Sequence, residues 1–144
     1  MNKVKKYFLL RPDEKSIFIK ALMSLIWVKL ILVVMPFKYY AKKLGEKDKE
    51  TMNEPLVAEH DFIILVKDSV RRASRYNIIK PKCFTEAIVA KKLLNKKKIP
   101  STLYLGVAKD KQQKMIAHAW LRCGNIIVTG KKGMERFTVV SKFA

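Results

Sequence analysis

Lys80-Pro81-Lys82-Cys83-Phe84-Thr85-Glu86-Ala87 is the stretch on which the reading of this chain turns. Lys80 precedes proline and is therefore extended. A helix opens behind it, near Lys82 or Cys83, and runs to about Lys97. Phe84, Ala87, Ile88 and Lys91 trace one row of that helix, with the aliphatic stem of Lys91 serving as part of the row. Ala90, Leu93 and Leu94 trace the next row, and Lys96-Lys97-Lys98 sets cations at the negative end of the dipole. Cys83 then sits at the helix mouth, where the positive end of the dipole and the charges of Lys80 and Lys82 favour a reactive thiolate. Taken alone, the same cysteine also reads as a small buried apolar residue.

After Pro100 the period of the sequence changes from helical to alternating. Thr102 to Ala108 places Leu103, Leu105 and Val107 on one face. Lys109 to Lys114 is a polar turn, and Met115 to Leu121 is a second strand containing His118-Ala119-Trp120. Gly124-Asn125 is a two-residue hairpin signal, followed by strands at Ile126 to Thr129 and Arg136 to Val140. The order, helices first and then a small antiparallel sheet, defines an α+β chain. His118 shares its strand face with Ile116 and Trp120, whereas Ala117 and Ala119 point the other way and leave room for a second layer.

A thiol on a helix N-terminus facing an imidazole on a sheet is a route to a cysteine nucleophile. The third group is less obvious. Register counted from Gly124-Asn125 sets His118 across from Gly130 and Lys131, where no acid stands. The acids after Cys83 are Glu86, Asp110 and Glu135. Glu135 is the one beyond His118, and it follows the Gly-Lys-Lys-Gly turn, so it is chosen as the third member. Asn125 or a backbone carbonyl could orient the imidazole instead. Trp120 is taken as a substrate contact. A zinc site from Cys83, Cys123, His118 and His60 finds no C-x-x-C or H-x-x-x-H spacing to support it, so neither metal nor cofactor is expected. His60 reads as a partly exposed helical residue.

The first half of the chain is a different material. Residues 1–10 are basic and then apolar, and read as a short strand. Pro12-Asp13-Glu14 opens a helix. From Ile17 to Met35, 16 of 19 residues are apolar, and Lys20, Ser24 and Lys29 do not share a face. A helix of that kind calls for cover nearly all round: by the domain, by a partner protein, or by a membrane surface. It spans roughly 28 Å, but each lysine costs about 2.5–3.5 kcal/mol at mid-membrane, which opposes spanning. Pro36 ends the helix, and Gly45 closes a basic-aromatic continuation as a C-cap. Residues 46–54 are charged and aperiodic, a linker between a hydrophobic helical segment at 1–45 and a domain at 55–144, the two forming one compact unit. A further helix runs from about Leu56 to Tyr76.

The 144 residues suit one domain, and 49% apolar content excludes global disorder. A formal net charge of +19 favours an anionic partner, whether nucleic acid, lipid headgroups or an acidic polypeptide. Much of the excess is lysine, a poorer reader of bases than arginine, so no specific nucleic acid is expected. Two cysteines make no disulfide framework, and the apolar run Tyr7 to Leu10 is too short for a secretory signal. The expected location is the cytoplasm, with possible peripheral membrane contact through 17–35.

Cys83-Phe84-Thr85-Glu86-Ala87, Ile99 to Val107, Ala117-His118-Ala119-Trp120-Leu121 and Phe137-Thr138-Val139-Val140, in this order and spacing, resemble the leader peptidase (B protein) of lasso-peptide biosynthesis. The Pro12 opening and Pro36 break resemble its stand-alone form. The resemblance implies a transglutaminase-like, papain-related fold, with Cys83 as nucleophile and His118 as general base and acid. It implies cleavage of a ribosomally made precursor peptide between leader and core. A small leader-recognition protein would deliver that substrate, and a separate ATP-dependent lasso cyclase would join the freed amine to a side-chain carboxylate. The family's acid falls at Gly130, where this chain departs from the pattern. The alternative is a catalytically degenerate docking or scaffold protein of the same fold; a nucleic-acid or membrane-surface binder is a third reading.

Overall fold

The apolar run folds as one long helix, α2 (Pro12–Val34), in the computed structural model, which describes residues 3–144. Its start is the one expected. Pro12 stands at the first turn, Asp13 and Glu14 meet the dipole, and the Arg11 N–H donates to Glu14 Oε2 at 2.8 Å. Pro36 follows its end. Its cover is not the one expected. Phe18, Ala21, Leu25 and Val28 are buried against α4 (His60–Tyr76) and α5 (Cys83–Asn95), while the opposite side is open. The two helices lie along one side of α2 only.

Residues 3–8 form a helix, α1 (Lys3–Phe8), rather than the strand expected there. A strand needs a ladder partner, and this segment lies against α2, away from the sheet: the Tyr7 ring packs on Phe18 at 5.7 Å and lies under Lys15. With no strand beside it, the backbone satisfies itself internally. Residues 1 and 2, the rest of that expected strand's start, lie outside the described residues. After Pro36 comes a short helix, α3 (Phe37–Ala41). Gly45 does not cap it. At φ +118° it lies three residues beyond the cap at Lys42, where its missing side chain lets the Ala144 carbonyl approach.

Helix α4 begins four residues later than expected and buries Ile63, Val66, Val70 and Ala73 as one stripe. Helix α5 is the centre of the molecule. It contacts α2 and α4 on one side and the sheet on the other, and eight of its thirteen residues are buried. Among them is Lys91, 4% exposed, whose Nζ donates to the Ser101 carbonyl at 2.7 Å. Burial holds that ammonium down at about 8.

The sheet has four antiparallel strands in the order β3-β2-β1-β4: β1 (Thr102–Lys109), β2 (Met115–Cys123), β3 (Ile126–Thr129) and β4 (Thr138–Phe143). The Gly124-Asn125 turn joins β2 to β3 as expected. Strand β4 starts later and runs further than expected, because residues 134–136 form a 3-10 turn and Phe143 is buried opposite Leu103. Leu103, Ala119, Leu121 and Cys123 enter the core shared with α5. Of the two alanines of β2, Ala119 is where the second layer approaches, whereas Ala117 is exposed. Helices first and antiparallel sheet second, the chain is α+β.

Residues 46–54 carry no helix and no strand of the sheet, as their lack of period foretold, but they are bound. Glu46 and Ala144 exchange two backbone hydrogen bonds, and Asp48 N–H donates to Lys142 O. Arg122, 7% exposed, donates to the carbonyls of Thr51, Met52 and Gly124, to Tyr104 Oη and to Glu50. The segment is a strap clamped across the sheet, from Lys142 of β4 over Thr102 and Tyr104 of β1 to Arg122 of β2.

Candidate active site

Cys83 is the first residue of α5, behind an extended Lys82 at φ −80°, ψ 160°. No side chain caps this helix, so the N–H groups of its first turn are free of helical partners and point out of the N-terminus. The thiol is partly buried against the core. Cys123, by contrast, is fully buried, its Sγ–H donates to the Pro100 carbonyl at 3.2 Å, and burial pushes its thiol up to about 11. Of the two cysteines, Cys83 is the one open to reagents.

His118 lies on β2, paired across the ladder with Gly106 of β1. Gly106 has to be small: a Cβ there would come within 2.8 Å of Phe137 Cβ and 2.9 Å of the Trp120 ring. The imidazole packs between those two rings, with centroids 5.0 Å from Phe137 and 5.9 Å from Trp120. Trp120 in turn stacks on Tyr104 at 5.4 Å and is 7% exposed. It forms the wall that fixes the His118 ring.

The ring nitrogen Nε2 is 2.7 Å from the Gly130 carbonyl oxygen. A carbonyl only accepts, so Nε2 carries the proton. In the neutral ring Nδ1 is then the free base. Gly130 stands where the resemblance places an acid, and its backbone supplies the orienting group through its oxygen. Its φ is +72°, and a Cβ there would collide with the Ala119 carbonyl and lie 2.8 Å from Trp120 Cβ. No side chain fits without moving β2. A register shift between Leu121 and Arg122 leaves Leu121 facing Thr129, which accompanies the carbonyl's turn toward the ring.

Glu135, chosen from the sequence as third member, lies in the exposed 3-10 turn and forms no hydrogen bond or ion pair among the described residues. Glu86 is the acid the fold brings nearer. It stands one turn after Cys83 on α5, half-buried, and accepts a hydrogen bond from Ser74 Oγ of α4. Burial raises its carboxyl, opposed by the Ser74 bond and the charge of His118. The spacing of three from Cys83 was the available signal for it, since positions i and i+3 share a helix face. Cys83 Sγ makes no hydrogen bond to the imidazole. His60 begins α4, exposed and beside Asp61. Among the described residues no three His, Cys, Asp or Glu side chains converge as metal donors.

A groove of about 630 Å³ runs between α4, the start of α5 and the β3–Gly130 turn. Glu86, Ser74 and Gly130 lie in its wall. The remaining charges in it are cationic: Lys67, Arg71, Arg75, Lys80, Lys131 and Lys132. One acid among six cations gives the groove a cationic lining, and neither Cys83 nor His118 is part of it.

No curated protein and no solved structure matches the chain. A family model for the transglutaminase-like superfamily, which commonly includes cysteine peptidases, matches residues 31–142. That span takes in α4, α5 with Cys83, the turn at Gly130 and nearly all of the sheet that carries His118. With more than half of the chain matched, and an α+β architecture in agreement, the protein belongs to the transglutaminase-like superfamily.

Proposed function

We propose that this protein is a cysteine endopeptidase that removes the leader from a ribosomally synthesised lasso-peptide precursor. The observation that carries the reading is the His118 imidazole, bound through Nε2 to Gly130 O with Nδ1 free as base, on the sheet that packs against the helix opened by Cys83. The Cys83 thiol gives its proton to His118 Nδ1, the resulting thiolate attacks the scissile carbonyl, and the Cys83 backbone N–H helps hold the oxyanion. His118 delivers the Nδ1 proton to the leaving amine, leaving an acyl thioester on Cys83. Water then attacks that carbonyl as Nδ1 takes its proton, the thiolate departs, and a carboxylate is released. A neutral carbonyl stabilises the imidazolium less than a carboxylate does. Loss of a triad acid costs on the order of 10⁴ in turnover, a rate acceptable where each peptide is cut once.

The substrate enters through the cationic groove beside Glu86, which suits a precursor with acidic residues near the scissile bond. A small leader-recognition protein presents the leader as an added strand, and a separate cyclase takes the freed core. Free thiols at Cys83 and Cys123 accord with a reducing cytoplasm.

The test is cleavage of a precursor encoded beside this chain, with the recognition protein present. Cys83→Ala is expected to abolish cleavage with an unchanged circular dichroism spectrum; equal cleavage by that variant would end the proposal. A catalytically degenerate docking protein is the second reading, favoured by the carbonyl in place of an acid and by the absence of a Cys83–His118 hydrogen bond. Iodoacetamide separates the two, since Cys123 is buried. Thiol alkylation that follows pH as an ordinary cysteine does, near 8.5, supports the docking protein.

A further inference from the structure

Helix α2 presents two apolar faces, and the fold covers one. Ile19, Met23, Trp27, Leu30, Val33 and Val34 follow one another at helical spacing along the outer side, and all are exposed, Trp27 at 61% and Val34 at 80%. Only 22% of the most apolar 18-residue window is buried, too little for a core helix. A stripe of this length on a soluble chain marks a contact surface. Helix α2 cannot span a bilayer from where it sits, because Ala21, Leu25 and Val28 would have to leave the core they share with α4 and α5. It can lie flat on one.

Charge selects the occupant. Lys20, exposed, borders the stripe on one side, at the angle where an interfacial helix places a snorkelling cation, and on the other border Lys29 is partly exposed and donates its Nζ to the Lys80 carbonyl at 3.3 Å. Exposed Lys38, Lys42 and Lys43 follow its C-terminal end, beside exposed Phe37 and Tyr39, which belong chemically to a headgroup layer. A second copy of this chain would bring the same lysines and the same +19 against them. An anionic lipid surface offers both an apolar layer and the opposite charge.

We propose that the outer face of α2 docks the protein on an anionic membrane surface, with Trp27 inserted at the acyl boundary and the helix parallel to the bilayer. The proposal does not depend on the peptidase reading. Flotation of the full chain with phosphatidylglycerol–phosphatidylcholine vesicles tests it, along with tryptophan emission; the other tryptophan, Trp120, is already buried. The chain is expected to float with the mixed vesicles and far less with phosphatidylcholine alone. Its emission should shift to the blue, and Trp27→Phe should remove the shift. Trp27→Glu with Leu30→Glu is expected to cut flotation about tenfold or more with an unchanged circular dichroism spectrum, and the milder Trp27→Ser to cut it in part. A chain that stays with the free protein at low salt overturns the proposal. So does flotation indifferent to these substitutions, which would be adsorption by charge alone. A dimer, or a complex with the recognition protein, that the same substitutions disperse in the absence of vesicle binding assigns the face to protein instead.

Discussion

At Gly130 one residue performs two tasks that pull in different directions. Its positive φ turns the carbonyl to His118, and its bare Cα lets β3 pass the Ala119 carbonyl and the Trp120 side chain. The general lesson is that an orienting group for a histidine does not have to be a side chain. Gly130→Ala forces a methyl into both contacts and a left-handed conformation that alone costs about 1–2 kcal/mol. We expect a loss of about 2–4 kcal/mol in denaturant unfolding and a changed ¹⁵N shift at His118 Nε2 as the hydrogen bond is lost. Unfolding at the wild-type midpoint with an unchanged imidazole would show that the turn has slack. Glu135, chosen by a count along the chain, forms no hydrogen bond or ion pair among the described residues, whereas Glu86 on α5, which packs on β2, feels the charge of His118.

At the scale of elements, the strap 46–54 is the piece whose behaviour the charges govern. Glu50 joins Lys142 at 2.8 Å and Arg122 at 3.2 Å, and accepts from Tyr104 Oη. Lys142, then Tyr104, hold its carboxyl down at about 2 against an ordinary value of 4.5. A depressed carboxylate adds stability that is present above 4.5 and disappears as pH falls toward about 2. Because the carboxylate is partly open to solvent, the contribution is screened to about 1 kcal/mol. Glu50→Gln should therefore lower the unfolding midpoint at neutral pH and match the wild type near pH 2, measured by thermal unfolding across that range. A difference that persists undiminished at the acid end would place the strap's hold elsewhere, on the backbone bonds from Arg122. Aperiodic charge in the sequence foretold the missing helix but not the docking, since the partners of Glu50 lie 54, 72 and 92 positions away.

For the whole molecule, α5 is the centre of one core, with helices on one side and the sheet on the other. Ile88, 1% exposed, sits in this core. Ile88→Ala should cost about 2–5 kcal/mol, read as a shifted midpoint in urea with the slope unchanged. It should also loosen Cys83 relative to His118, since the helix and the sheet that carry them meet through this core. A cost below 1 kcal/mol would mean that the layers relax independently.

The residues themselves determined the parts of this protein that rest on neighbours in the chain. These are the opening of α2 at Pro12, the stop at Pro36, the start of α5 at Cys83, the alternation of β1 and β2 and the hairpin at Gly124-Asn125. Propensity, capping and period act over a few positions, and the sequence displays them directly. Tertiary structure decided which side of α2 is covered, that residues 3–8 coil instead of pairing, that β4 crosses to β1, and that a backbone oxygen holds His118. Each of those depends on what a distant segment offers: a strand edge, a helix face or a carbonyl. Such offers exist only once the layers have assembled.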